Sequence, residues 1–317
     1  MRKRIGMILG LLLLVMAFLT GCGGNSPAGS SGASSGSGSA AAVANEAVPS
    51  GTLTIKMLNV GQGDAILIQT AEQTVLIDTS DLDEQEKLRN ELKKAGVKKI
   101  DKLILTHPHA DHIGGVEGVV LKDYEVGAVY DDGMPSNSKI YTRYMKLLKQ
   151  KNIAHQGLKA GDTLDFGNGV MFKVFAPSAE LVQKGTAKGY KHDPNNESVV
   201  GRLSFGAFSM MFTGDAEADE EKGIVANYST ELKSNVLKAG HHGSKTSSSA
   251  AFLRAVKPEA ALISCGAGND YGHPHKETMK KFQAMKLQIF ETDKNGTITV
   301  TSDGQTYSIK PEQGDAQ

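Results

Sequence analysis

Three histidines and an aspartate, His107, His109, Asp111 and His112, stand within six positions of the stretch Thr106 to Gly115. Imidazole nitrogen and carboxylate oxygen together suit zinc, manganese or iron. The run Lys102-Leu103-Ile104-Leu105 ahead of them is of the kind that forms a buried strand, which places the cluster in a loop at a strand end. In such a loop His107 and His109 can point the same way, because side-chain direction alternates. Asp111 and His112 can then turn towards a second position nearby. Two divalent ions about 3.5–4 Å apart could share a hydroxide there and attack an ester, with Asp111 taking part in the catalysis. Gly114 and Gly115 leave no side chain where the backbone must pass close to the site. A polar surface turn is the alternative. H-x-H-x-D-H straight after an apolar strand and ahead of Gly-Gly argues against it.

One metal needs three or four donors and a pair needs a bridge, so other segments must contribute. Phe208-Ser209-Met210-Met211-Phe212 is an apolar run that ends in Thr213-Gly214-Asp215, which puts a carboxylate at a strand's C-terminal edge. Asp215 is therefore the candidate bridge. Leu237-Lys238-Ala239 runs into Gly240-His241-His242-Gly243, and one of the two histidines should join Asp111 and His112. The other would lie beside the substrate or orient a ligand. His273, after Asp270-Tyr271-Gly272, could donate to a phosphate oxygen or protonate a leaving alkoxide. His275 reads as a helix-capping loop residue.

These segments need elements to hold them. Thr52 to Leu58, Ala65 to Ile68 and Thr74 to Ile77 read as strands, the last ending at Asp78, and Leu88, Leu92 and Ala95 recur at helical spacing with Gly96 as a stop. Val126–Tyr130 follows as a strand and Lys139–Lys151 as a helix. Strand-like runs return at Val170–Phe175, Ser198–Phe205 and Phe208–Phe212. A helix at Glu217–Asn227 then leads to strand Asn235–Ala239. Two helix–strand units come next, Ser249–Ala255 with Ala260–Cys265 and Lys276–Met285 with Gln288–Glu291, and Thr297–Val300 and Thr306–Ile309 form a closing hairpin. Early hairpins and later helix–strand alternation suit a four-layer α+β (αββα) sandwich, two mixed sheets face to face with helices outside.

The chain has 317 residues and equal numbers of basic and acidic side chains, 35 each, so no global basic field announces a polyanion partner. Arg2, Lys3 and Arg4 followed by the apolar run Ile5–Leu19 read as an export signal. Leu19-Thr20-Gly21-Cys22 resembles a bacterial lipobox, which implies cleavage after residue 21, lipidation of Cys22 and a protein anchored to the extracytoplasmic face of a membrane. The alternative, a single transmembrane anchor, would need a longer apolar run. Residues 22–50 are Gly, Ser and Ala with scattered polar residues and read as a flexible tether. The catalytic domain is expected over residues 51–311, with a tail at 312–317. Cys265 is the only other cysteine. With Cys22 committed to lipid it reads as a small core residue.

Asn59 to Ala65, Thr106 to Gly115, Asn195 to Val200, Thr213-Gly214-Asp215, Lys238 to Ser244 and Tyr271 to Pro274 occur in the order seen in the ComEC-type branch of the metallo-β-lactamase superfamily. That branch comprises the hydrolase domain of the competence DNA-uptake channel and its free-standing relatives. The resemblance covers nearly all of Thr52 to Ile309. It implies a dinuclear metallohydrolase with His107, His109, Asp111, His112, Asp215 and His242 as ligands. His242 is preferred to His241 because a His-Gly pair fits the superfamily's last-histidine turn. The counterpart of Asp78 orients a ligand histidine in the family, and Gly63 and Asp64 lie on a turn that could line the metal edge. Many members supply a third histidine to the first metal ahead of the bridging aspartate. His155 reads as a surface residue, and near His192 this branch uses Asn and Ser instead. Asn196 or water would then fill the place, which leaves two ions of zinc or manganese as the expected cofactor.

Within this branch a phosphodiesterase or nuclease is the usual expectation, with DNA or RNA as substrate. Other readings are hydrolysis of a lactam, lactone, thioester or phosphocholine ester, or a non-catalytic module that captures nucleic acid or cell-wall polymer. No multi-span channel stands in this sequence, so any part in DNA uptake would be indirect.

Overall fold

The computed structural model describes residues 51–317, and the expected export signal, tether and Cys22 lie outside them. In chain order the strands are β1 (Leu53–Met57), β2 (Ile66–Gln69), β3 (Thr74–Ile77), β4 (Lys99–Ile104), β5 (Glu125–Asp131), β6 (Ala154–Gly157), β7 (Thr163–Asp165), β8 (Met171–Ala176), β9 (Val200–Phe205), β10 (Phe208–Phe212), β11 (Val236–Lys238), β12 (Ala260–Ile263), β13 (Gln288–Glu291), β14 (Ile298–Ser302) and β15 (Tyr307–Pro311). They form an eight-stranded sheet ordered β15-β14-β1-β2-β3-β4-β5-β6 and a seven-stranded sheet ordered β13-β12-β11-β10-β9-β8-β7.

Alternation along the strands decides which side chains meet. In β1, Leu53, Ile55 and Met57 are buried while Thr54 and Lys56 are half exposed. The buried three join Ile68, Phe172, Leu203, Phe212 and Val300 in the core between the sheets. On the outer face of the first sheet, Leu67, Leu76 and Leu103 pack with Leu88 and Leu92 of helix Gln85–Lys94 and Leu148 of helix Lys139–Lys151. On the second sheet, Leu237 and Ala261 pack with Phe252 and Phe282 from two helices. Each large side chain so buried contributes about 1.5–3 kcal/mol. The result is the expected four-layer sandwich.

Several short elements escaped the sequence reading, among them β6, β7, helix Ala179–Gly185 and helix Thr292–Asn295. β6 (Ala-His-Gln-Gly) buries no side chain fully, so hydrophobic alternation cannot reveal it. The 312–317 tail is pinned to the domain. Asn295 donates to the carbonyls of Gln313 and Asp315, and Gln317 N donates to Ile289 O at 2.9 Å.

β3, β4 and β5 run parallel, as do β10, β11, β12 and β13. Their C-terminal ends therefore share an edge within each sheet. Val199 N donates to Thr106 O at 2.8 Å and joins the edges of the two sheets. Among the described residues no helix is long and apolar enough to cross a membrane.

Candidate metal centre

Asp215, in the Gly214-Asp215 turn that follows β10, lies at the middle of the converging segments. Its Oδ1 is 3.3 Å from His112 Nε2, and its Oδ2 is 3.6 Å from His242 Nε2, 3.7 Å from His241 Nε2 and 3.9 Å from His107 Nε2. Asp111 Oδ2 is 3.2 Å from His242 Nε2, and His109 Nδ1 is 2.9 Å from His107 Nε2. The six residues expected as ligands are thus together, with His241 beside them.

Backbone geometry explains why glycine flanks the cluster. Gly214 has φ +49°, and a Cβ there would press on Thr106 and Ser198 at 2.9 and 3.1 Å. A Cβ on Gly115 would meet Thr79 O at 2.3 Å. His241 and His242 themselves take left-handed φ values of 48° and 52°. Two adjacent residues of this kind cost about 1–3 kcal/mol each, which the surrounding structure must overcome. The turn is held by His241 N donating to Gly214 O at 3.1 Å and Ser244 N donating to His241 O at 2.7 Å.

The imidazoles are held by their inner nitrogens. His112 Nδ1 is 2.8 Å from Asp78 Oδ2, His242 Nδ1 is 2.9 Å from the Ser264 carbonyl, and His241 Nδ1 is 3.0 Å from Glu217 Oε1. An oxygen acceptor at Nδ1 orients each ring and leaves Nε2 as the donor atom turned to the centre. Asp78 also accepts from Thr106 N and Thr106 Oγ1, both at 2.7 Å. It thereby couples the histidine loop to β3.

His112 Nε2, His242 Nε2 and Asp215 Oδ1 are buried without a hydrogen-bond partner. Such atoms cost about 1–3 kcal/mol apiece, a penalty that a bound cation removes. Charge argues the same way. Asp64, Asp78 and Asp215 are buried, and beside them Lys238 is the buried lysine, paired with Asp64 and donating to Gly214 O at 2.8 Å. Burial would lower the pKa of His112, but the carboxylates of Asp215, Asp78 and Asp111 outweigh it and hold the imidazole well above its ordinary value. Burial would raise Asp215, yet His112, His242 and His107 hold it well below the usual range. The residues fit a pair of divalent cations.

The cluster opens to a cavity of about 340 Å³ whose rim includes Gln62, Asp81, Asn195, Tyr271 and His273. His273 stacks on His242 with ring centroids 5.9 Å apart, and its Nδ1 is buried without a partner. Burial, then His242, His241 and His275, lower its pKa to about 4. His275 Nδ1 instead accepts from Lys245 N at 3.1 Å.

Asn196 does not reach the centre. Its Oδ1 accepts from Glu217 N and Glu220 N at 3.2 and 3.3 Å, and its Nδ2 donates to Asp193, so it closes the start of helix Ala218–Tyr228. Asn195, its neighbour, faces the cavity. Asp64 is buried as expected of a supporting residue, with Oδ1 3.5 Å from His242 Nδ1. His155 is bonded to Asp131 and His192 to Glu197, so neither joins the cluster. Cys265 is buried with Sγ 3.4 Å from Asp293 Oδ1, and burial pushes its thiol well up. Glu217, Asn195 and Lys238 were not singled out from the sequence for these roles. Lys238 alone carried a signal, a charged residue at the end of an apolar strand.

The family model described as Metallo-beta-lactamase superfamily matches residues 58–267. "ComE operon protein 3" of Bacillus subtilis (strain 168) is 32% identical over 281 residues, covering 81% of this chain and 34% of its own. "Competence protein ComA" of Neisseria gonorrhoeae is 32% identical over 254 residues, covering 80% of this chain and 33% of its own. The chain spans about a third of the length of these relatives. Among solved structures, CmlA, a diiron β-hydroxylase from Streptomyces venezuelae, superposes with a TM-score of 0.51 at 11% identity, over 80% of this chain and 54% of its own, and supports the fold alone. With the sandwich, the histidine loop and the Gly-Asp turn in place, the chain belongs to the metallo-β-lactamase superfamily, in the ComEC-type branch with these competence proteins.

Proposed function

We propose that this protein is a cation-dependent phosphodiesterase of the nuclease type. Residues 51–311 form its catalytic domain, held outside the membrane by a 22–50 tether from lipidated Cys22 once a 1–21 signal is removed. The observation that carries the chemistry is the placing of Asp215, whose carboxylate lies 3.3, 3.6, 3.7 and 3.9 Å from the Nε2 atoms of His112, His242, His241 and His107, residues of both proposed cation sites. Asp111, His112, Asp215 and His242 would hold one cation. His107, His109 and Asp215 would hold the other, with His241 in the place of the third histidine. Zinc or manganese ions bound there supply acidification of a water and neutralisation of charge on a phosphate.

The chain's own groups do the rest. Asp78, Glu217 and the Ser264 carbonyl keep the imidazoles aimed, and Lys238 holds Asp64 and the Gly214 carbonyl in place. His273, neutral at pH 7, serves to donate an N–H to a phosphate oxygen rather than to store a proton for the leaving group. Membership of the ComEC-type branch, for which a phosphodiesterase or nuclease is the usual expectation, supports a nucleic-acid substrate.

The test is metal-stripped protein refilled separately with zinc and with manganese. It would be assayed on bis(p-nitrophenyl) phosphate, single-stranded DNA, RNA, a phosphocholine ester and nitrocefin. Diester cleavage dependent on the added cation is expected. Turnover of the lactam or the phosphocholine ester with neither nucleic acid nor bis(p-nitrophenyl) phosphate cleaved under either cation would overturn the proposal.

A further inference from the structure

Tyr271 is 65% exposed, against 41% for Leu82, the next of the exposed large apolar side chains among the described residues. It is not on a featureless surface. It lines the cavity above the candidate metal centre. Its ring stacks on His273 with centroids 5.6 Å apart and planes 18° from parallel, and His273 stacks in turn on His242 at 26°. Three rings, each stacked on the next, therefore run from a proposed metal ligand out to solvent.

The loop that carries this column is braced. Asn269 Nδ2 donates to the carbonyls of Gly266 and His273 at 2.9 and 2.6 Å, and Asn269 Oδ1 accepts from His273 N at 2.9 Å. Gln62, which also lines the cavity, has its Oε1 accepting from Gly266 N at 3.1 Å at the base of this loop, while its Nε2 is buried without a partner. A planar ledge and an unspent amide donor thus flank the same opening.

We propose that the outer face of Tyr271 is a stacking platform for an unpaired nucleobase next to the phosphodiester at the metal centre. It selects single-stranded nucleic acid within the phosphodiesterase reading, on which this inference rests. Base–aromatic stacking is tolerant of sequence because every base has a π-face. A duplex keeps its bases stacked inside and offers no free face to the ledge. A polyol phosphate polymer has no planar group to place there.

The chain contains no tryptophan, so Tyr271→Trp introduces a single indole at the ledge. Metal-stripped Y271W is titrated with a single-stranded oligodeoxynucleotide, its duplex, and an abasic oligomer with the same number of phosphates. Quenching of the indole by the single strand is expected, with binding of the duplex and of the abasic strand at least about 5-fold weaker. In the cation-loaded enzyme, Tyr271→Ala should raise KM for the single strand about 10-fold, leave kcat nearly unchanged and leave the abasic strand unaffected, while Tyr271→Phe behaves as wild type. Equal quenching by the abasic strand, or a KM that Tyr271→Ala leaves unchanged, overturns the ledge even in an enzyme that cleaves diesters. Base-dependent quenching by a protein that cleaves no diester upholds the ledge as a binding surface and removes only the hydrolase reading.

Discussion

Glu217 Oε1 lies 3.0 Å from His241 Nδ1 and at the same distance from Thr246 Oγ1, so one carboxylate oxygen gathers a ring and a hydroxyl. The ring's other nitrogen is thereby aimed at Asp215. Removing such an outer partner typically weakens metal affinity by about 10–100-fold. Glu217→Ala should therefore weaken one of two cations by that factor and spare the other, and His241→Ala should lower the stoichiometry from two ions to one. Calorimetric titration of stripped protein reads both. Two ions held at wild-type affinity in both variants would remove His241 from the centre.

Asp78 carries three bonds at once, to Thr106 N, Thr106 Oγ1 and His112 Nδ1. Asp78→Asn keeps one oxygen for the Thr106 amide but presents a neutral amide group to the imidazole. Cation affinity should fall by about 10–100-fold with the fold intact. Asp78→Ala leaves buried donors unpaired and should cost about 2–4 kcal/mol in urea unfolding. If Asp78→Asn binds cations as the wild type does, the carboxylate has no part in aiming His112.

Why the centre could be read so largely from the chain follows from where its residues sit. His107 to His112, Asp215 and His242 each follow an apolar run within a few positions, so strand periodicity and a ligand-type residue occur in one short window. What stayed hidden depends on direction or distance. Asn195 and Asn196 are adjacent in a one-turn 3-10 segment, and sequence cannot tell which faces the cavity. Glu217 lies two residues past Asp215, and nothing in its neighbours marks it as the acceptor for a histidine 24 positions away. β6 and β7 are short strands with little buried surface, set by pairing to β5 and β8 rather than by their own patterns.

Lys238 is fully enclosed, paired with Asp64 and 3.9 Å from Asp215 Oδ1. Burial would lower its pKa, but Asp64 and Asp215 outweigh burial and raise it, so the side chain is charged in the folded protein. Lys238→Met leaves the Asp64 carboxylate buried without its partner and should cost about 3–5 kcal/mol. Adding Asp64→Asn removes the stranded charge, so the double variant should be more stable than Lys238→Met alone. Denaturant unfolding in chelator separates this effect from metal loss. A double variant no more stable than the single one would show that the lysine acts through packing alone.

Glu220, in the first turn of helix Ala218–Tyr228, gives a prediction with a pH signature. Burial, then the neighbouring Glu197, push its carboxyl from the ordinary 4.5 up to about 7. In the unfolded chain it ionises at the ordinary value. Below that value both states are protonated and the group has no effect on stability. As pH rises from about 4.5 to about 7 the unfolded state alone loses its proton, so the folded state is progressively disfavoured, and above 7 the deficit is constant. At about 1.4 kcal/mol per unit, less a fraction because a helix N-terminus favours negative charge, the deficit is about 2–3 kcal/mol. Glu220→Gln should thus stabilise the protein by that amount at pH 8 and by almost nothing at pH 4, since a neutral side chain then stands in both proteins. Urea unfolding at pH 4, 6 and 8 reads the difference. A gain that is the same at all three values would trace to packing and leave the shifted carboxyl without support.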